Sequence, residues 1–184
     1  MRPDVPATVR VLETGLGTPA VVPLLRRVPA RVGDVHHVPA GMLHALGAGV
    51  VVCEPQTPSD TTYRLYDWTE EYGREPRELH ADEAMLCLRA GWADNVDVPG
   101  PAQGDGVLLR TPHYRISRTS GAPAGPVDVP ARPGPRVVVV VEGALSHPDL
   151  PAPLGPAGVC LLPAAWAGEL QADEGTTWLD LDLA

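Results

Sequence analysis

Proline and glycine recur so often along this chain that one stretch alone is left for an ordinary helix. Among 184 residues there are 22 prolines and 19 glycines, and both are poor in helix interiors, proline because it lacks an N–H and clashes with the preceding turn. The exception is EPRELHADEAMLCLRAGW (75–92). It carries Leu79, Ala84, Met85, Leu86 and Leu88, with acids early and Arg89 late, a charge order that suits the helix dipole. A shorter helix is expected within AVVPLLRRV (20–28). Elsewhere, short apolar runs bounded by turn residues read as strands: 34–39, 49–56, 61–68, 106–120, 135–143, 158–164 and 176–183. In TTYRLYDW (61–68) Thr62, Arg64 and Tyr66 fall on one face, and Tyr63 and Leu65 on the other. PRVVVVVEG (135–143) does not alternate and predicts a strand covered on both faces. The expectation is a mainly β, turn-rich protein with one connecting helix. Its organisation is a first unit over 1–93, a Pro/Gly linker over 94–105, and a second β unit over 106–184.

Charge and composition narrow the function. The formal net charge is −9, and arginine supplies all 14 basic residues, so the chain has no lysine for a Schiff base or a phosphate-binding loop. No basic stripe is present to neutralise phosphates, which argues against nucleic acid as a partner. No apolar run approaches the roughly 20 residues that span a bilayer, and MRPDVPATVR lacks a signal-peptide core. A cytoplasmic protein with no membrane partner is expected. Cys53, Cys87 and Cys160 are too few and too scattered for a disulfide framework, and read as small buried apolar residues.

One motif carries chemical information. GDVHHVPAGMLH fits G-x5-P-x-G-x2-H at Gly33, Pro39, Gly41 and His44. The spacing resembles the second motif of the cupin superfamily, in which a strand enters a tight Pro-x-Gly turn and an imidazole points into a small barrel. The following text, HALGAGVVVCEPQTPSDTTYRLYDW and then PRELHADEAM, resembles type I mannose-6-phosphate isomerase of the bacterial kind. The likeness is dense over roughly 22–90 and weaker over 106–184.

The resemblance implies a cupin-like double-stranded β-helix with an incomplete first barrel and a second, smaller β unit. It also implies a zinc-dependent isomerase that interconverts mannose 6-phosphate and fructose 6-phosphate through an enediol. By position, His44 matches the zinc ligand of the second motif, and Arg64 the active-site arginine. Glu54 matches an acidic residue on the next strand, with Gln56 on the same face and Asp60 also placed for substrate binding. The resemblance implies a first motif with the other zinc ligands, yet residues 1–32 contain no His, Gln or Lys, and Glu13 as their one Glu. Zinc sites take three or four protein ligands, so either the chain begins downstream of that motif or the site has been rebuilt or lost. A rebuilt site would combine His44, one of His36 and His37, and Glu54. The alternative function is a non-catalytic cupin remnant that binds a phosphosugar or a protein partner. Sheet edges left unpaired by an incomplete barrel would favour a homodimer.

Overall fold

The computed structural model describes residues 17–88 and 105–183. The chain divides into two units, one of Met1–Val32 with His36–Val98, the other of Gly33–Val35 with Pro99–Ala184.

The second unit holds all the strands among the described residues: β1 (Gly106–Arg110), β2 (Tyr114–Ala122), β3 (Gly125–Val129), β4 (Arg136–Glu142), β5 (Leu145–Ser146), β6 (Val159–Leu162), β7 (Gly168–Ala172) and β8 (Thr176–Leu183). They form a five-stranded sheet, β1-β2-β8-β4-β6, and a three-stranded sheet, β3-β7-β5, with every pairing antiparallel. The mainly β expectation holds. Between the sheets lies an apolar core of Val138, Val140, Leu145, Leu162, Leu170 and Trp178 with smaller neighbours. The turn after β4 closes tightly. A Cβ on Gly143 (φ +74°) would come within 2.4 Å of the Thr176 hydroxyl oxygen. That hydroxyl is fully buried and donates within hydrogen-bond reach of the Ala144 and Asp173 carbonyls, while the Ala144 N–H donates to it.

The β4 strand departs from expectation. Val138 and Val140 face the core, but Val137 and Val139 are half-buried and Val141 is exposed, so only one face is fully covered. The smaller sheet shields one face of β4. The run of identical residues concealed an ordinary alternation.

The three upstream segments read as strands, 34–39, 49–56 and 61–68, form no ladder among the described residues. An extended segment becomes a stable strand through a hydrogen-bonded neighbour and a buried face, and Val51 is fully exposed, with Val50 and Val52 open as well. Cys53 and Cys87 are likewise exposed rather than buried. What is folded here is a 3-10 helix at Pro19–Leu24 and two short helices, α1 (Thr69–Tyr72) and α2 (Ala81–Cys87). The expected helix over 75–92 begins only at Ala81, because Pro76 steers Glu75 away from helical backbone and Arg77 is drawn out to an ion pair. Its end from Arg89 lies outside the described residues. Val21, Leu65 and Ala84 form a small core, flanked by Leu43, Tyr66, Met85 and Leu88.

Candidate functional site

The motif histidine sits just past a tight turn. The Met42 N–H donates to the Pro39 carbonyl at 3.1 Å, and Gly41 takes φ +85° at the third turn position, where a residue with a Cβ would be strained. Two residues on, His44 is exposed, with Nδ1 3.0 Å from the Met42 carbonyl oxygen. A proton on Nδ1 donated to that carbonyl leaves Nε2 as the lone-pair nitrogen.

Arg64 is fixed from the other side by the PRELH segment. The His80 N–H donates to the Arg64 carbonyl at 2.8 Å, and the Arg64 N–H donates to His80 Nδ1 at 3.4 Å. Arg64 Nη1 donates to the Glu78 carbonyl at 3.2 Å, so one of its five N–H donors is used there. His80 is thus the N-cap of α2 by position, but its imidazole serves Arg64 and does not cap the helix.

The strongest electrostatic feature is Asp67, which is buried. Arg77 grips its carboxylate with two hydrogen bonds, Nε to Oδ2 at 2.9 Å and Nη2 to Oδ1 at 2.5 Å, and Arg74 Nη2 stands 3.5 Å from Oδ1. The Arg77 hydrogen bond, aided by the charges of Arg77, Arg74 and Arg64, holds the Asp67 carboxyl down at about 2 against the opposing effect of burial.

These groups meet in one cleft of about 270 Å³, whose lining includes His44, Arg64, Tyr66, Asp67, Arg74 and Arg77. The cleft therefore brings together His44 and Arg64, both singled out in the sequence. Glu54, Gln56 and Asp60 are exposed and do not line it, nor do His36 and His37. Gln56 instead donates to the Ser59 carbonyl at 3.5 Å. Glu54, expected on a buried strand, lies in an exposed segment that forms no strand. Sequence reasoning did not single out Arg74, Arg77 or Asp67. Their signal was the arginine inside PRELH, ten residues after Asp67.

The donors among the described residues do not by themselves fit a zinc ion. Among the described residues no three His, Cys, Asp or Glu side chains lie close enough to share a metal, and three protein ligands are the minimum for such a site.

No family model matches the chain. Mannose-6-phosphate isomerase ManA of Bacillus subtilis is 46% identical over 66 residues, 35% of this chain and 21% of its own length. The mannose-6-phosphate isomerase of Streptococcus mutans is 41% identical over 70 residues, 37% of this chain and 22% of its own. The chain is similar to bacterial mannose-6-phosphate isomerases. It spans between 21% and 28% of the length of the curated relatives it matches. Among solved structures, a cupin superfamily protein of Desulfitobacterium hafniense is 20% identical with a TM-score of 0.37, over 43% of this chain and 74% of its own. No helix among the described residues is long and apolar enough to cross a membrane.

Proposed function

We propose that the Arg64 cleft binds the phosphate of a sugar phosphate, and that the chain acts as part of a mannose-6-phosphate isomerase-like cupin. One observation carries this reading: His44 shares a cleft with three arginines, and Asp67 is the single carboxylate lining it. Asp67 is already neutralised by Arg77 and Arg74, so the cleft keeps an excess of guanidinium charge. Guanidinium forks match phosphate oxygens in pairs.

In the proposed reaction an aldose and a ketose phosphate interconvert with no net oxidation. One proton leaves C2 and arrives at C1, while the hydroxyl proton on O2 is lost and one is gained on O1. An imidazole nitrogen such as His44 Nε2 can take up and return the carbon-bound proton, and Arg64 can steady the enediol oxygen as charge develops. A zinc ion at His44 would need its remaining ligands from outside the described residues. A second reading, a non-catalytic phosphosugar binder, is favoured by that missing donor set.

Calorimetric titration of the full chain with mannose 6-phosphate, fructose 6-phosphate and mannose tests the binding step. The phosphorylated sugars should bind, free mannose should not, and Arg64→Gln should weaken binding roughly 10-fold or more, the worth of a charge-assisted hydrogen bond. Equal binding of mannose and its phosphate would sink the reading. A coupled assay for fructose 6-phosphate then separates isomerase from binder.

A further inference from the structure

The second unit carries a charged row that its fold does not require. Strand register places Arg110 opposite Arg115, Arg115 opposite Asp182, and Asp182 opposite Arg136, so these four side chains cross the five-stranded sheet on one face. It is the face that elsewhere bears Val138, Val140 and Trp178 and packs on the smaller sheet. Arg132, in the loop before β4, approaches the same row, with Nε 3.9 Å from Asp182 Oδ1.

The pairing within the row is incomplete. Arg115 Nη2 bonds Asp182 Oδ2, and Arg136, whose side chain is 4% exposed, stands 3.4 Å from Asp180 Oδ2 and donates to the Pro130 carbonyl at 3.0 Å. Four guanidinium groups thus face two carboxylates. The Arg110 side chain has no hydrogen bond or ion pair among the described residues, and it stands directly across the ladder from a like charge, which is destabilising without a counter-charge. Arg115 Nε, a donor that an anion's oxygen could satisfy, is buried with no hydrogen-bond partner among the described residues. A buried polar atom is seldom left so. Beside it opens a cavity of about 410 Å³, lined by Arg110, Thr111, Tyr114, Arg115, Arg132 and Asp182 among others.

We infer that this end of the five-stranded sheet is a second anion site, built to take a small dianion, a phosphate monoester or a dicarboxylate, between Arg110, Arg115 and Arg132. Two guanidinium charges remain after Asp180 and Asp182 are counted, and a dianion matches them. The site lies wholly in the second unit and shares no residue with the Arg64 cleft, so it stands or falls separately from the proposed function.

The test is a backbone-amide NMR titration of the ¹⁵N-labelled full chain at low ionic strength, where such contacts are least screened. Inorganic phosphate, succinate and acetate are added in turn. Saturable shifts confined to residues 110–115, 132–134 and 182–183 are expected with a dianion, and with acetate only at roughly 10-fold higher concentration or more. Phosphate alone would mark a phosphate site, and phosphate and succinate together a general dianion site. Arg132→Ser and Arg110→Ser, both at solvent-accessible positions, should each weaken the response about 10-fold, while Arg64→Gln should leave it unchanged. Absence of saturable shifts there, or shifts that survive both serine variants, would overturn the inference. The unliganded spectra of the variants show that the sheet is intact.

Discussion

The two units reach order by different routes. Residues 105–183 enclose a core cluster of nine buried apolar residues between two hydrogen-bonded sheets. Residues 17–88 enclose three, Val21, Leu65 and Ala84, and tie their extended segments with side-chain grips instead: Arg77 on Asp67, Arg64 on the Glu78 carbonyl, His80 on the Arg64 backbone. The region whose text most resembles a known enzyme is thus the one with the smaller core. Chemical residues and folding residues are separable here. The cleft is held by charge on a scaffold that the sandwich, with its apolar interior, does not need.

The comparison is sharpened most by removing one core side chain from each unit. Leu145 is fully buried between the sheets, and Leu145→Ala should cost about 2–5 kcal/mol, the transfer term plus a cavity that neighbouring strands cannot close. Leu65 is nearly as buried but borders the open cleft. Its surroundings can collapse further, and Leu65→Ala should fall at or below the lower end of that range. Urea midpoints followed by circular dichroism for the two variants decide the order. A larger loss from Leu65→Ala would mean that the first unit's small core, not its ion pairs, holds it together.

How much of this was legible in the sequence divides along the same line. The strands at 106–120, 135–143, 158–164 and 176–183 were readable because each alternates or is apolar beside a turn, and each finds a ladder partner. The same patterns at 49–56 and 61–68 misled. GVVVCEPQ has strand-forming residues, but pairing depends on a neighbouring strand, which no local pattern encodes. His44 and Arg64 were legible through their motifs, and the structure lines one cleft with both. Arg74, Arg77 and Asp67 were not, since an ion pair across ten residues of irregular chain has no periodicity to betray it. The Arg110–Arg115–Asp182–Arg136 row was hidden for a related reason: it exists only across strands, and the register that creates it appears nowhere along the chain.

A smaller effect comes from acid. Asp67 titrates at about 2 in the folded protein, below its ordinary value of 3.8. The unfolded chain therefore binds the proton more readily. The stability this carboxylate supplies is fully present above about pH 4 and is lost as pH falls toward 2. Tyr66 and Trp68 stack edge to face at 4.9 Å beside it, so the assigned indole N–H signal of Trp68 in a ¹⁵N spectrum can report the first unit. Asp67→Asn should weaken that unit already at neutral pH, because Arg77 and Arg74 lose their counter-charge, and should flatten the response between pH 4 and 2. An unchanged acid profile in the variant would show that the grip of Arg77 does not hold the cleft.

The smallest effect should have the opposite sign. In the second unit, burial pushes the Asp180 carboxyl above its ordinary value, outweighing the attraction of Arg136. A raised folded-state value means that the folded protein binds the proton more tightly than the unfolded chain. The ionised form thus costs stability above that value, and the cost is relieved as pH falls through it. Asp180→Asn keeps an oxygen for Arg136 and removes the buried charge, so neutral-pH stability should stay level or rise by about 1 kcal/mol or less. The two aspartates then bend the stability profile in opposite directions, one from each unit, and thermal melts of the single variants between pH 2 and 7 resolve them. A marked loss from Asp180→Asn would instead make the Arg136 pair a structural clamp like that of Asp67, and the contrast between the two units would fail at this point.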